Sequence, residues 1–276
     1  MEKGIIPIVM GGLGNQMFIV ASAFVVSKTN HYTLYLFKNT LDNNQHNIHQ
    51  IDYNLTIFKE FGIHISDNFR NIKNIDAFKD YQYHSQINNN AFDQWDPLQV
   101  KKGTLMNRYY QYYPTISVFE NEIRNLFITG LYDFINCLQI SVDTSAFLHI
   151  RRGDYLSLSE IHFIQPLSYY QQCVNELLQR NKHISRIYIL SDDSTWVKSQ
   201  TYFQENIFDI QDNLNELESM ALMSQCKGGA ICANSTFSWW GAFLGAYEER
   251  NPVFIPKKWI HTDSVINLFP SEWIQI

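Results

Sequence analysis

Short apolar runs alternate with longer segments of helical character along this 276-residue chain, and this alternation constrains its fold more than any other feature. The first instance has three parts. The apolar run Ile5–Met10 comes first, a helical segment that Asn15 can cap follows it, and a second apolar run at His31–Phe37 comes last. Short apolar runs bounded by turn residues are typical of buried parallel strands. The sequence therefore predicts a strand–helix–strand unit over these residues.

A second alternation of the same kind begins near residue 141. Pro166 opens its first amphipathic segment, a position where proline fits because the first helical residue needs no N–H donor. Together the two alternations predict an α/β protein of two Rossmann-like, doubly wound parallel-sheet domains, residues 1–141 and 142–276, that face a cleft. Strands are expected at Ala146–Ile150, Arg186–Leu190, Gly228–Ala233 and Val253–Ile255, and helices at Pro166–Arg180, Leu214–Cys226 and, after a turn, Ser235–Tyr247.

The part of the chain between the two alternations is less regular. Residues 38–100 are polar and rich in Asn, Gln and Asp, which predicts loops and short helices. Residues 103–111 read as a strand, and residues 116–128 and 131–140 read as helices.

Composition excludes some classes of function. With 21 basic and 27 acidic residues the net charge is −6, which argues against a dedicated nucleic-acid surface. The four cysteines form no CxxC pair and no zinc-like spacing with histidine. The longest apolar run, Met17–Val26, is about half a membrane span. We expect a cytoplasmic protein with at most peripheral contact to the inner membrane.

The first strand is followed by the glycine-rich turn Gly11-Gly12-Leu13-Gly14-Asn15. Glycines here let a ligand approach the backbone, and the N–H groups that open the next helix can bind an anion. The spacing is not GxGxxG, so a dinucleotide site is not indicated. A purely structural tight turn is the alternative.

The strand predicted at Ala146–Ile150 ends in Arg151-Arg152-Gly153-Asp154. A guanidinium cannot be deprotonated and needs a partner, so two adjacent arginines suggest one that clamps a diphosphate and one held by Asp154. A surface Arg–Asp pair with a bystander His149 is the alternative reading.

Two further polar segments follow predicted strands. Hydroxyls and N–H groups in Asn234-Ser235-Thr236-Phe237 can form an anion cradle at a helix start, with Phe237 or one tryptophan of the pair Trp239-Trp240 packed on a base or a sugar. The alternative is a capped helix whose tryptophans lie in the core. Asp192 and Asp193 are either functional carboxylates or a helix N-cap.

Taken together these motifs resemble a known family. His149–Asp154 is similar to the His-x-Arg-Arg-x-Asp motif of the α-1,2-, α-1,6- and protein O-fucosyltransferase superfamily. Gly11–Phe18, His149–Tyr155 and Asn234–Ala242 resemble the bacterial α-1,2-fucosyltransferases of glycosyltransferase family eleven. The motifs stand in family order up to about residue 245, whereas residues 38–100 match nothing recognisable.

The resemblance implies a GT-B-like fold, with an N-terminal acceptor-side domain and a C-terminal domain that binds most of the donor. It implies an inverting enzyme that transfers L-fucose from GDP-fucose to O-2 of a terminal β-galactose, in an O-antigen or an oligosaccharide, without metal or another cofactor. The implied catalytic residues are Arg151, on the β-phosphate, with His149 and Asp154, and Asp154 would support Arg152.

The resemblance also implies the remaining donor contacts. Asn15 would project across the cleft toward fucose, and a guanine-reading carboxylate would fall near Glu218 or Ser219. The implied donor-binding set is Gly14, Asn15, His149, Arg151, Asp192, Glu218, Asn234, Ser235, Thr236 and Phe237.

Two alternatives stay open at this point: a transferase of the same fold with another acceptor, and a non-catalytic relative that binds a nucleotide or a glycan. An inactive relative would be expected to lose the Arg151 clamp, which this chain retains. No general base is assigned among the nearby carboxylates Asp154, Glu160, Asp192 and Asp193.

Overall fold

In the computed structural model the chain forms two compact units, and each is described here by itself. Unit 1 comprises residues 1–131 and 265–270, and unit 2 comprises residues 132–264 and 271–276. The boundary expected near residue 142 lies inside unit 2, because the helix Tyr132–Asn136 packs on the helix Glu216–Gln225 of that unit. The structure describes residues 2–38, 49, 51–84, 91–245, 251–261 and 267–276.

The described strands of unit 1 pair in parallel. One sheet has the order β1-β5-β4, and β2 pairs with β3. The backbone N–H of Ile5 donates to the carbonyl of Thr33 at 2.8 Å, which sets the start of β2 beside β1. The strands are β1 Ile5–Pro7, β2 Tyr35–Lys38, β3 Ile63–Asn68, β4 Gln82–His84 and β5 Thr104–Met106.

The region 38–100 contains two strands that the sequence reading missed. β3 lies half in solvent, with Ile63 51% exposed, so its sequence lacks the apolar run by which a buried strand is recognised. β4 has only three residues, too few for a pattern. Short 3₁₀ turns at 53–55, 69–74 and 97–99 agree with the short helices expected there. Residues 39–48, 50 and 85–90 of this region lie outside the described residues.

The first long helix, α1 Leu13–Asn30, is buried on nearly every side as far as Val26. Its N-cap is Gly12, and no side chain caps it, so the prediction that Asn15 caps the helix is wrong. The helix starts three residues earlier than an Asn15 cap would place it, because Leu13 already packs in the core. Where one helix was expected over 116–128, the chain forms α2 Tyr113–Ile116 and α3 Glu120–Gly130, joined by a 3₁₀ turn.

The described part of unit 2 contains a six-stranded sheet whose pairings are all parallel, in the order β11-β10-β9-β6-β7-β8. The four expected strands are confirmed with shifts of one or two residues at their ends. Two short strands at the sheet edges, β8 and β11, were not expected. The strands are β6 Ser145–Ile150, β7 Arg186–Ser191, β8 Phe208–Gln211, β9 Gly229–Ile231, β10 Val253–Ile255 and β11 Ile274–Gln275.

The helices of unit 2 cover this sheet. Pro166 is the N-cap of α5, and Tyr170, Cys173 and Leu177 on one face of that helix join the core around β6 and β7. In the described segments no helix is both long and apolar enough to cross a membrane. The helices are α4 Tyr132–Asn136, α5 Leu167–Arg180, α6 Ser194–Ser199, α7 Glu216–Gln225 and α8 Thr236–Gly245; the end predicted for α8, residues 246–247, lies outside the described residues.

The order of strands reverses at one point in the sheet of unit 2. From β6 the chain proceeds to β7 and β8 on one side, whereas β9, β10 and β11 lie on the other. Ligands of open parallel sheets bind at the carboxyl ends of the strands that flank such a point, here β6 and β9. In unit 1 the corresponding point lies between β1 and β5.

The tryptophan pair of α8 belongs to the core, which decides between the two sequence readings. Trp239 and Trp240 are both 0% exposed, and the Trp239 ring centroid lies 4.8 Å from that of Phe243 and 5.5 Å from that of Trp273. Neither tryptophan can therefore pack on a ligand without unfolding α8.

We expect Trp239→Ala to lower the free energy of unfolding by about 3–5 kcal/mol, because it removes a fully buried ring and leaves a cavity. Urea unfolding followed by far-UV circular dichroism measures the change. Tyr132→Ala, at a side chain that is 60% exposed, is the control and should stay within about 0.5 kcal/mol of the wild type. Equal midpoints for the two variants would contradict this placement of Trp239.

Candidate functional site

Arg151 follows β6 directly and is held by two carboxylates. One terminal nitrogen lies 2.7 Å from Asp154 Oδ1, and the other lies 3.1 Å from Asp192 Oδ2. The guanidinium carbon is 5.4 Å from the centre of the Tyr155 ring, and the Arg151 side chain is 26% exposed. A guanidinium carries five N–H donors. Arg151 is therefore fixed in orientation and still has donors with which to bind an anion.

The neighbouring Arg152 has a different partner from the one expected. Its Nε lies 3.1 Å from Asp193 Oδ2, and its guanidinium stacks 4.2 Å from the Trp196 ring. The predicted Arg152–Asp154 pair is wrong, because Asp154 opens a 3₁₀ turn that brings its carboxylate to Arg151. Successive side chains at a strand end point in opposite directions, which sends Arg152 toward α6 instead.

Asp192 and Asp193 divide the two roles that the sequence left open. Asp193 is the N-cap of α6, since its Oδ1 accepts the N–H of Trp196 at 3.0 Å. Asp192 contacts both arginines: its Oδ2 pairs with Arg151, and its Oδ1 accepts the backbone N–H of Arg152 at 2.8 Å. A Cβ added at Gly153 would lie 2.6 Å from Asp192 Oδ2, so any larger residue in this turn would displace the carboxylate that pairs with Arg151.

His149, the penultimate residue of β6, is buried and neutral. It is 5% exposed, and its ring centroid lies 5.6 Å from that of Phe237. Burial, assisted by the nearby charge of Arg151, lowers its pKa to about 3. Its Nδ1 has no hydrogen-bond partner among the described residues. His149 therefore adds no positive charge to the site at neutral pH.

The contact of His149 with Phe237 brings the end of β6 next to the start of α8. Thr236 is the first residue of that helix, and the N–H of Phe237 donates to Ser235 Oγ at 3.3 Å. The first turn of a helix has backbone N–H groups without helical partners, and the helix dipole favours an anion there. Arg151 and the start of α8 thus flank the reversal point of the sheet from both sides.

Asn234 fixes loops rather than offering its amide to a ligand. Its Nδ2 donates to the carbonyls of Phe163 and Trp259, both at 2.8 Å, and the residue is 2% exposed. Its own carbonyl accepts the hydroxyl of Tyr155 at 3.0 Å. Asn234, expected among the donor contacts, therefore ties the segments after β6 and β10 to the end of β9.

Tyr155 lies at the site, although the sequence assigned it no role. Besides its hydrogen bond to Asn234, its ring stacks on His162 with centroids 4.1 Å apart and planes 6° apart. It also lies against the Arg151 guanidinium. Its place directly after Asp154 was the only available signal, since its partners are distant in sequence.

Glu218 has a structural partner of its own. Its Oε2 accepts the backbone N–H of Asn215 at 2.8 Å, and Asn215 Oδ1 accepts the N–H of Glu218 at 3.0 Å. This reciprocal capping box opens α7. The guanine-reading role expected of Glu218 or Ser219 stays a prediction.

In unit 1 the glycine turn holds Asn15 at the carboxyl edge of the sheet. Gly11 has a φ of +76°, a conformation that favours glycine, and a Cβ there would press on Asn15 Nδ2 at 2.9 Å. Asn15 Oδ1 accepts the side-chain N–H of Gln111 at 2.8 Å. Gly14 is buried in the first turn of α1. The contact of Asn15 with fucose stays a prediction.

Within the described residues, no group of three or more His, Cys, Asp or Glu side chains is arranged to hold a metal ion. The adjacent carboxylates of Asp192 and Asp193 are paired with Arg151 and Arg152.

These features define a class of protein: a glycosyltransferase of the α/β, GT-B-like type. The profile of Glycosyl transferase family 11 matches residues 9–276, and the chain belongs to this family. It is similar to the O-antigen biosynthesis glycosyltransferase WbnK of Escherichia coli, at 29% identity over 96% of this chain and 98% of the relative. It is 28% identical to an α-1,2-colitosyltransferase of Escherichia coli, over 96% of each chain.

Solved structures of fucosyltransferases have the same fold. The fucosyltransferase NodZ from Bradyrhizobium superposes with a TM-score of 0.52 at 11% identity, over 87% of this chain and 92% of NodZ. POFUT1 in its apo form superposes with a TM-score of 0.52 at 10% identity, over 92% of this chain and 98% of POFUT1. Sequence identities this low support a similarity of fold and nothing more.

The burial of His149 predicts a pH dependence of stability. Its pKa is about 3 when folded and rises to its ordinary 6.5 on unfolding, so between these values the unfolded chain binds a proton that the folded chain does not. Stability from this residue is complete above pH 6.5 and is lost as the pH falls toward 3. From pH 7 to 5 we expect a loss of about 2 kcal/mol.

The measurement is urea unfolding at both pH values for the wild type and His149→Phe. The variant should lack this part of the loss, because phenylalanine does not titrate. Equal pH dependence in the two proteins would show that His149 is not buried in its neutral form.

Proposed function

We propose that this chain is an inverting α-1,2-fucosyltransferase that transfers L-fucose from GDP-β-L-fucose to O-2 of a terminal β-galactose in a glycan. The observation that carries the proposal is the fixed Arg151 beside the start of α8, at the reversal point of the sheet in unit 2. Membership of family 11 supports the reaction type. Its fold relative NodZ, an α-1,6-fucosyltransferase, was crystallised with GDP and soaked with GDP-fucose, which supports the donor.

In this proposal the protein stabilises the departing diphosphate. Fucosyl transfer passes through an oxocarbenium-like transition state in which negative charge grows on GDP, and positive groups already in place lower that barrier. Arg151 donates to the β-phosphate while Asp154 and Asp192 keep its guanidinium in position. The first turn of α8, which begins at Thr236, directs the positive end of its helix dipole toward the same charge.

Directed donors, rather than net charge, carry this binding. Arg151 and Arg152 together are outnumbered by Asp154, Asp192 and Asp193, so the corner has one more negative than positive side chain. A diphosphate is attracted there only by N–H groups that point at it. Asp154 and Asp192 are poor candidates for a general base, because each is already paired with Arg151.

Removal of the Arg151 guanidinium tests this mechanism. We expect Arg151→Ala to lower kcat by about 10²–10³-fold, the ordinary cost of one lost donor to a developing oxyanion. Steady-state kinetics with GDP-fucose gives the value. Arg180→Ala is the matched control, since Arg180 is a half-exposed arginine of the same unit paired with Glu176 on α5, and it should leave kcat unchanged. Near-wild-type turnover by Arg151→Ala would remove the mechanism.

We further propose that the transfer needs no metal ion, because Arg151 and the start of α8 supply the positive groups that a divalent cation would otherwise provide. A required Lewis acid contributes several kcal/mol, so its removal would slow the reaction by orders of magnitude. We expect turnover to stay within about twofold after dialysis against EDTA. Activity that is lost and then restored by Mn²⁺ would refute this part.

A second candidate is transfer of colitose. It is favoured by the 28% identity over 96% of the chain to the α-1,2-colitosyltransferase. Both candidates share the site in unit 2 and differ in the sugar that the enzyme accepts.

A screen of donors and acceptors with purified protein decides between them. The donors are GDP-fucose, GDP-mannose, UDP-galactose and GDP-activated colitose. Each is offered with lactose, N-acetyllactosamine and galactosyl-β-1,3-N-acetylgalactosamine, and the products are analysed by mass and linkage. Transfer from GDP-fucose to O-2 of galactose is the expected result. Transfer from activated colitose alone would establish the second candidate, and no binding of GDP by calorimetry would refute both.

A further inference from the structure

Tyr110 in unit 1 has a backbone conformation that a bulky residue rarely adopts. Its φ is +51°, in the left-handed region, and the residue is 0% exposed. A tyrosine in this region is an outlier and persists only where its surroundings impose it. Such strain is concentrated at active sites and ligand-binding positions. The mechanism proposed for unit 2 gives this residue no part.

The strained residue organises three polar or aromatic side chains around its ring. Its hydroxyl lies 3.0 Å from His84 Nδ1, and its ring centroid is 4.9 Å from that of Trp95 and 5.1 Å from the Arg108 guanidinium carbon. We call His84, Trp95, Arg108 and Tyr110 the Tyr110 cluster. The left-handed turn places the Tyr110 ring among the other three members.

Hydrogen bonds of Tyr110 define which nitrogen of His84 carries the proton. The hydroxyl lies within 3.2 Å of the His84 carbonyl oxygen, which can only accept, and 3.0 Å from Nδ1. Both contacts are hydrogen bonds if the hydroxyl donates to the carbonyl and Nδ1–H donates to the hydroxyl. Burial and the charge of Arg108 lower the pKa of His84, which keeps the ring neutral. Nε2 is then a hydrogen-bond acceptor.

Arg108 and Trp95 are held in place at a cost to stability. Arg108 is 7% exposed, and one of its terminal nitrogens donates to the carbonyl of Asp93 at 3.1 Å. Burial lowers its pKa to about 10. Trp95 is partly exposed, yet its indole N–H is buried and makes no hydrogen bond to any described residue. A desolvated cation and an unpartnered N–H beside a strained backbone are not expected of a position selected for stability alone.

The cluster lies where ligands of parallel sheets bind. His84 is the last residue of β4, and Arg108 and Tyr110 follow the end of β5. The next residue, Gln111, donates to Asn15 in the glycine turn after β1. The Tyr110 cluster therefore continues the carboxyl edge of the sheet that carries Asn15.

We propose that the Tyr110 cluster binds a hexopyranose ring of the acceptor glycan. A sugar ring presents an apolar C–H face, which suits Trp95, and hydroxyl groups that both donate and accept. Arg108 supplies N–H donors to such hydroxyls, and His84 Nε2 supplies an acceptor beside them. This inference rests on the proposed function, since it assigns the acceptor of that reaction to unit 1.

The test separates acceptor binding from donor binding. Trp95→Leu and Arg108→Lys should each raise the KM for the β-galactoside acceptor at least about tenfold, the effect of losing one stacking or charged contact. The KM for GDP-fucose and the Kd for GDP should not change, because the Tyr110 cluster is in unit 1 and the donor groups Arg151 and Thr236–Phe237 are in unit 2.

Tyr83→Ser is the matched control. Tyr83 precedes His84 on β4, so its side chain points to the opposite face, and it is 56% exposed. Thermal unfolding establishes that each variant is folded, and Trp95→Phe, which keeps a ring, should recover most of the affinity lost in Trp95→Leu. Unchanged acceptor KM in folded Trp95→Leu and Arg108→Lys would overturn the proposal.

Binding of the sugar alone distinguishes failure of this inference from failure of the proposed function. Saturation-transfer NMR with methyl β-D-galactopyranoside needs no turnover, and the wild type should give ring-proton signals that Trp95→Leu loses. If the wild type transfers no fucose but shows this difference, the proposed function fails and the subsite stands. No signal from the wild type, or equal signals from both proteins, would overturn the subsite.

Discussion

The two carboxylates that grip Arg151 are the interaction on which the site in unit 2 depends. A lone arginine at a strand end would sample many rotamers, and ordering it at the moment of binding would cost entropy. Asp154 and Asp192 remove that freedom in advance from two directions. Gly153 lies close to the Asp192 carboxylate that holds this group, and the next residue, Asp193, pairs with Arg152 and caps α6. The two carboxylates offset part of the positive charge of Arg151, but they fix the orientation of its guanidinium.

A fully apolar layer supports this polar corner. Trp239, Trp240 and Phe243 bury α8 from behind, so the start of the helix cannot move away from β6. Asn234 locks the flanking loops with both of its amide hydrogens. Buried polar networks of this kind specify one arrangement because any slip would leave groups without partners. The first turn of α8 is therefore held in place by a rigid frame.

Unit 1 builds its polar edge by another route. It concentrates strain at Tyr110 and desolvated side chains at Arg108 and His84. This edge combines a buried cation with an imidazole of lowered pKa, whereas the corner in unit 2 combines two arginines with three carboxylates. The two units, alike in their parallel sheets, thus differ in the side chains that stand at their strand ends.

The sequence by itself determined the α/β class, the main strands and helices of both units, and the residues at the ends of β1, β6 and β9, because apolar runs and the turns after them are local patterns. It could not give the half-exposed β3, the three-residue β4, or the pairing of Arg152 with Asp193. Nor could it show that Trp239 lies in the core, that Asn234 binds loops, or that Tyr110 is strained beside His84. Each depends on residues distant in sequence, and only the packing of the tertiary structure decides which side chains meet.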